Sequence, residues 1–121
     1  MTNLKTHRDL DCWQRAINLV TVIYKTTAKY PKEEIYGITS QIRRSAVSVP
    51  SNIAEGASRS SKNEFSHFLS ISLGSLSELE TQIIISQNLF FIENNESELI
   101  LDEISIIKRM LIGLRNNING K

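Results

Sequence analysis

The stretch Gln41-Ile42-Arg43-Arg44-Ser45-Ala46-Val47-Ser48-Val49-Pro50-Ser51-Asn52-Ile53-Ala54-Glu55-Gly56 decides the fold. Ile42, Ala46, Val49 and Ile53 recur at threes and fours, and Ile35 and Ile38 extend the series backwards. That is the period of a helix face laid on a helical partner. Pro50 falls inside it. Proline lacks the N–H that would bond the Ala46 carbonyl and its ring crowds that carbonyl, so a kink, or two helices meeting, is expected there. Ser45, Ala46, Ser48, Ser51 and Ala54 are small, which lets another helix approach closely. Gln41, Ser45 and Asn52 lie along one edge, where they suit buried hydrogen bonds to a neighbouring backbone, including the carbonyl orphaned by Pro50. Arg44, Ser48, Ser51 and Glu55 line the outer edge, where a partner can be met. The helix is expected over about residues 33–57, with Gly56 as its C-cap.

Three more segments carry the same period. A helix over about 12–30 has Asp11 and Gln14 at capping-box spacing, a stripe of Trp13, Ile17, Val20, Tyr24 and Thr27 widened by Ala16 and Ile23, and Pro31 at its end. A helix over about 62–92 starts after Ser61, which stands at capping-box spacing from Glu64. It aligns Phe65, Leu69, Ser72, Leu76, Leu79, Ile83 and Phe90, and Asn94-Asn95 reads as the turn that follows. In a helix over about 96–117, Ile100, Ile104, Ile107, Leu111, Leu114 and Ile118 fall on an a/d pattern. Asn95-Glu96-Ser97 fits a glycosylation sequon but reads better as a cap with Glu98 at N3. No run alternates as a strand does. Short connections make sequential helices antiparallel neighbours, so residues 1–121 are expected to be all-α, a single up-down-up-down four-helix bundle.

Composition narrows the function classes. The chain has 121 residues, 40% hydrophobic and 22% charged, with a net charge of +1, which argues against disorder and against a strongly basic nucleic-acid binder. A lone Cys12 excludes a disulfide framework within one chain. No run of about 18 apolar residues exists, and the N-terminus lacks an apolar signal core, so the expected setting is the cytoplasm.

The helices carry more apolar surface than one bundle uses. Leu99, Ile106 and Met110 lie to one side of the stripe on the last helix. Ile71, Ile85 and Leu89 lie nearly opposite the stripe on the third, with Glu78 at heptad spacing between Ile71 and Ile85. Tyr36, Arg43, Val47, Pro50 and Ala54 form a side stripe on the second. Either the long helices bury a wide face inside one copy, or a symmetric homo-oligomer covers the second face. In the oligomer, Glu78 would find Arg43 or Arg44, within or between subunits; otherwise these charges reach solvent. Charge is also divided. Residues 1–62 hold ten Lys/Arg against five Asp/Glu, and residues 63–121 hold four against eight. The basic set comprises Lys5, Arg8, Arg15, Lys25, Lys29, Lys32, Arg43, Arg44, Arg59 and Lys62. It either pairs with the acidic second half or forms a rim that symmetry multiplies into a phosphate-collecting patch.

The Gln41–Gly56 stretch closely resembles the signature of the bacterial four-helix bundle family of 23S rRNA intervening-sequence proteins. Gly74-Ser75-Leu76-Ser77-Glu78-Leu79-Glu80-Thr81 resembles that family's second signature, and Tyr30-Pro31 followed by Glu34 and Tyr36-Gly37 also fits. The resemblance covers about residues 10–115. It implies an up-down bundle that assembles into a ring, typically a homopentamer. The signature positions it carries over are Gln41, Arg43, Arg44, Ser48, Pro50, Asn52, Glu55, Gly56, Gly74, Ser75, Glu78 and Glu80, none with a catalytic role. The family's name comes from reading frames inside intervening sequences of large-subunit rRNA genes and does not make its members ribosomal components. A similar bundle is the accessory protein of diversity-generating retroelements, which binds a reverse transcriptase and nucleic acid.

Residues that could carry chemistry are few. Glu64-Phe65-Ser66-His67 is an E-x-x-H motif, but a di-iron bundle needs two of these with two further Glu, and the only other histidine is His7. Cys12 sits near a helix N-terminus, which favours thiolate, yet no histidine is placed as its base. Gly56 and Gly74 are isolated, so no phosphate-binding loop is present. Trp13, Tyr24 and Tyr30 read as core. The expectation is a non-enzymatic, cofactor-free, ring-forming adaptor that binds RNA or DNA weakly through Arg43, Arg44, Arg59 and Lys62. The alternative is a protein-interaction module without nucleic-acid affinity.

Overall fold

The computed structural model describes residues 6–120. Residues 1–5 of the N-terminal stretch read for a secretion signal, Lys5 among them, and Lys121 lie outside the described residues. Four helices follow one another: α1 (Asp11–Thr27), α2 (Ile38–Ala57), α3 (Lys62–Asn88) and α4 (Asn94–Ile118). Single 3-10 turns, His7–Asp9 and Lys32–Glu34, precede α1 and α2. Each helix packs on the ones before and after it, and α1 closes the circuit against α4. No diagonal pair approaches closely. The expected four-cornered all-α arrangement is therefore present. Among the described residues no helix is long and apolar enough to cross a membrane.

The centre is apolar. Ile23, Ile42, Ile53, Leu69, Leu76, Leu79, Ile83, Ile104, Ile107 and Leu111 are fully buried. Each such side chain stabilises the fold by roughly 1.5–3 kcal/mol. The a/d stripe on α4 lands as expected, with Leu114 and Ile118 at its open end. On α1 the buried line is Cys12, Ala16, Leu19 and Ile23, with Thr26 and Thr27 below it. This line is turned from the expected one: Ile17 and Tyr24 are exposed, and Tyr24 lies under the Arg43 guanidinium at 4.6 Å. A flat aromatic ring can serve as a cover over the bundle edge, so its size misplaces the stripe.

The helix ends depart from the sequence reading where backbone geometry, not side-chain pattern, decides them. Leu10, not Asp11, caps α1, without a side-chain bond, and Gln14 donates its amide to the Arg8 carbonyl at 2.7 Å. Helix α1 stops at Thr27, three residues before Tyr30. There the Thr27 hydroxyl turns back to the Ile23 carbonyl at 2.7 Å. Helix α2 starts only at Ile38, which leaves Tyr36 almost wholly exposed. Ser61 does cap α3, accepting from Glu64 N–H at 3.1 Å. Helix α3 ends at Asn88, because Phe90 adopts φ 61° and the Phe91 N–H reaches back to the Ser86 carbonyl at 3.0 Å. That left-handed residue costs a non-glycine on the order of 1–2 kcal/mol. It points Phe90 into solvent, and Phe91 packs on the Tyr30 ring at 5.7 Å. Asn94-Asn95 consequently begins α4 instead of forming the turn. Asn95 Oδ1 only accepts from the next N–H, and Glu93 is the cap.

Candidate interaction face on α2 and α3

Pro50 neither breaks nor divides α2, which runs unbroken from Ile38 to Ala57. What surrounds it is a ladder of small polar groups between α2 and α3. Ser72 on α3, fully buried, donates to the Val49 carbonyl at 2.9 Å. The Ser48 and Ser75 hydroxyls meet at 2.8 Å. Asn52 Nδ2 donates to the Ser48 carbonyl at 2.8 Å and to its hydroxyl at 2.9 Å, so it serves its own helix and not the Ala46 carbonyl. Each bond satisfies a group that would be costly to bury alone. One turn further on, Gly56 lies against α3: a Cβ there would stand 2.8 Å from Phe68 Cβ and 3.0 Å from Phe65 Cδ1. Gly56 is thus a point of close approach inside the helix, not its cap, which is Ser58. Ser48, Pro50, Asn52, Gly56 and Ser75, all picked out from the sequence, come together in this seam. Ser72 completes it.

Beyond the seam, Gln41, Arg44, Ser45, Ser48, Glu78 and Gln82 line an open cleft of about 500 Å³ between the two helices. Gln82 was not picked out by the sequence reading. Its only signal was its place four residues after Glu78, and its buried Oε1 has no hydrogen-bond partner. Arg44 and Glu78 face the same cleft, yet neither takes part in an ion pair among the described residues. Arg43 is turned the other way. Its Nε donates to Thr27 Oγ1 at 2.9 Å, binding α2 to α1.

The four residues expected to contact phosphate do not form one patch. Arg43 and Arg44 lie near the start of α2, and Arg59 in the turn beyond its other end and Lys62 at the start of α3 are roughly 20 Å away at about 1.5 Å per residue. Arg59 is held by Glu55 at 2.6 Å and Glu64 at 4.0 Å, with its guanidinium 5.0 Å from the Phe68 ring. Lys62 is exposed and in no ion pair among the described residues. Other cations do pair with the acidic half: Arg15 grips Glu103 with two bonds of 2.7 and 2.8 Å, Lys29 meets Glu96 at 2.8 Å, and Lys108 meets Glu80 at 3.0 Å. Hydrogen bonding to these carboxylates raises the pKa of Arg15 and of Lys29. Glu80 therefore faces α4, away from the cleft.

Several residues of the second apolar line stay in water. Ile71 and Ile85 on α3 and Leu89 at its C-cap are 37%, 42% and 51% exposed, and Leu99 on α4 is 71% exposed. Ile106 and Met110 are half-buried, and Pro50 is buried. Gly74 lies outward on α3, where a Cβ would meet nothing within 4 Å. The candidates for chemistry fall elsewhere. Cys12 is buried, and burial pushes its thiol pKa up, away from the thiolate that a helix N-terminus would favour. His67 sits edge-on to Phe68 and His7 edge-on to Trp13. Among the described residues no group of three or more His, Cys, Asp or Glu side chains could hold a metal ion.

The bundle, its α2–α3 seam and the residues along it agree with the match found across residues 8–113 to the 23S rRNA-intervening sequence protein family. The chain belongs to that family. A solved structure of a protein of unknown function from the S23 ribosomal protein family of Bacteroides thetaiotaomicron is similar in fold, with a TM-score of 0.78 and 22% identity. The likeness covers 86% of this chain and 97% of that one. No curated protein matches the chain. Within this intervening-sequence family fold, the signature stretch is the part that lets α2 and α3 touch.

Proposed function

We propose that this 23S rRNA intervening-sequence protein is a non-catalytic assembly module that works by binding copies of itself, with the homopentameric ring implied by the resemblance as the expected form. The observation that carries this reading is the line Ile71, Ile85 and Leu89, left in water on the side of α3 turned away from its own core. Apolar side chains grouped along one face mark a contact surface more often than a free one. Glu78, exposed beside this line and in no ion pair among the described residues, gives the same surface a charge that a different, oppositely charged surface of the next copy can answer, as a ring requires. Light scattering across a wide concentration range tests the reading. A discrete multiple of the 13.7 kDa chain mass is expected. A monomer at every concentration overturns it.

A second reading, weak binding of RNA or DNA by the assembled ring, is favoured by Arg44 and Lys62, both exposed and in no ion pair among the described residues. Symmetry would repeat each of them around a ring. The expected result is a mobility shift that weakens as salt rises and is lost in Arg44→Ala/Lys62→Ala with the assembly intact. No shift at low salt and high protein concentration leaves the module as a protein-interaction unit only.

A further inference from the structure

We infer that the contact between copies runs from the outer face of α3 on one copy to the outer face of α4 on the next. This rests on the self-association reading and names the two surfaces that meet. Each helix carries a second seam at heptad spacing, turned away from its own core. On α3 it is His67, Ile71, Gly74, Glu78, Thr81 and Ile85. On α4 it is Leu99, Asp102, Ile106, Arg109 and Gly113. All of these are exposed except Ile106, which is half-buried. A four-three repeat is the spacing by which one helix beds against another. Among the described residues no helix is laid over either seam, and at their edges the seams border only open grooves with α2 and α1.

The two seams fit each other position by position. Contacts within the chain fix the level of α3 against α4: Gln87 meets Ser97, Glu80 meets Lys108 and Ser70 meets Arg115. That antiparallel register sets Gly74 level with Gly113 and Glu78 level with Arg109. Rotation about an axis parallel to the helices keeps every level unchanged, so in a ring the same residues stay level across the junction between copies. There a carboxylate would face a guanidinium, and neither is in an ion pair among the described residues. A glycine would face a glycine, and both occupy helix interiors where a Cβ would meet nothing within 4 Å of its own chain. A mid-helix glycine weakens its helix, and here no neighbour in the chain requires it. Two such glycines at one level are what a close crossing of two backbones uses. The directions also close. In a four-cornered bundle the outward faces of adjacent helices diverge by about 90°. A ring needs its two contact faces to diverge by about 90° for four copies and about 108° for five.

The decisive experiment measures the concentration of half-assembly for the wild type, Glu78→Arg, Arg109→Glu and the double variant, with helicity checked by circular dichroism. Both sites are exposed, so all four chains are expected to fold alike. Each single reversal sets like charges together and is expected to raise the midpoint at least about tenfold, and the double variant to return close to the wild type. A wild type that never assembles removes the self-association reading and this inference with it. A wild type that assembles, with midpoints unmoved by the single reversals or not restored by the double, overturns the α3–α4 contact alone.

Discussion

Gly56 and Gly74 stand on adjacent helices of the same bundle and do opposite things. Gly56 is buried where α2 presses on α3, and the side chains of Phe65 and Phe68 fill the space a Cβ would need. Around it the small polar residues are engaged: Ser72 donates to a carbonyl, Ser75 meets Ser48, and Asn52 reaches back across Pro50 to Ser48. Gly74 has open space around it and exposed Ile71 and Ile85 along its helix. The contrast separates two uses of one residue type. In the seam, smallness is consumed by the fold. On the outer face of α3, smallness and apolar surface are left over, and a surplus of that kind needs a second molecule to explain it.

The seam half of the contrast breaks most sharply with Gly56→Leu. The new side chain must displace Phe65 and Phe68, and overpacking of this kind costs up to about 3 kcal/mol. Urea unfolding should show a clear fall in midpoint with the slope unchanged. A variant as stable as the wild type would mean that α2 and α3 can part without loss, and the distinction between the two glycines would fail.

A smaller loss is expected from Ser72→Ala. It removes the second donor to the Val49 carbonyl, which keeps its helical bond from Ile53 N–H, and so takes away one net hydrogen bond, at about 0.5–1.5 kcal/mol. Calorimetry should register it as a drop of a few degrees in Tm, a chain of 121 residues falling between the about 4–8 °C per kcal/mol of 60–100-residue domains and the about 2–4 °C of 150–250-residue ones. No drop would mean that the Ser72 hydroxyl adds nothing to the seam beyond shape complementarity.

How much of this was legible from sequence follows from the kind of force involved. The a/d series Ile100–Leu111 and the Ile42–Ile53 series read correctly because burial is periodic and needs no knowledge of the neighbour. Ser61 was found because a side-chain cap is chemistry within one turn. Tyr24 was misplaced, since an amphipathic ring can cover a core without entering it. The left-handed Phe90 was missed because nothing in a phenylalanine announces a positive φ. Within the candidate site, the smallness of Ser48, Ser51 and Ala54 signalled a close neighbour, but it could not say that Ser72 would supply the bond or that Asn52 would turn to its own helix. Arg43 and Arg44 are adjacent in sequence and point to different helices, about 100° apart on α2, so a run of two cations could not be read as one patch.

Gly74→Ala gives the smallest effect and the sharpest test, because its sign is opposite to that at Gly56. In a helix interior with open space around the new methyl, alanine is better than glycine by about 0.5–1 kcal/mol. Measured at a concentration where the chain is unassembled, the variant should therefore be more stable than the wild type. Measured by assembly, the same methyl stands where another backbone is expected, and the concentration of half-assembly should rise. Stability and association moving in opposite directions cannot arise from a residue whose purpose is internal, since any internal cause would move both the same way. Were Gly74→Ala to destabilise the isolated chain, the glycine would have a reason within its own bundle, and the contrast with Gly56 would disappear.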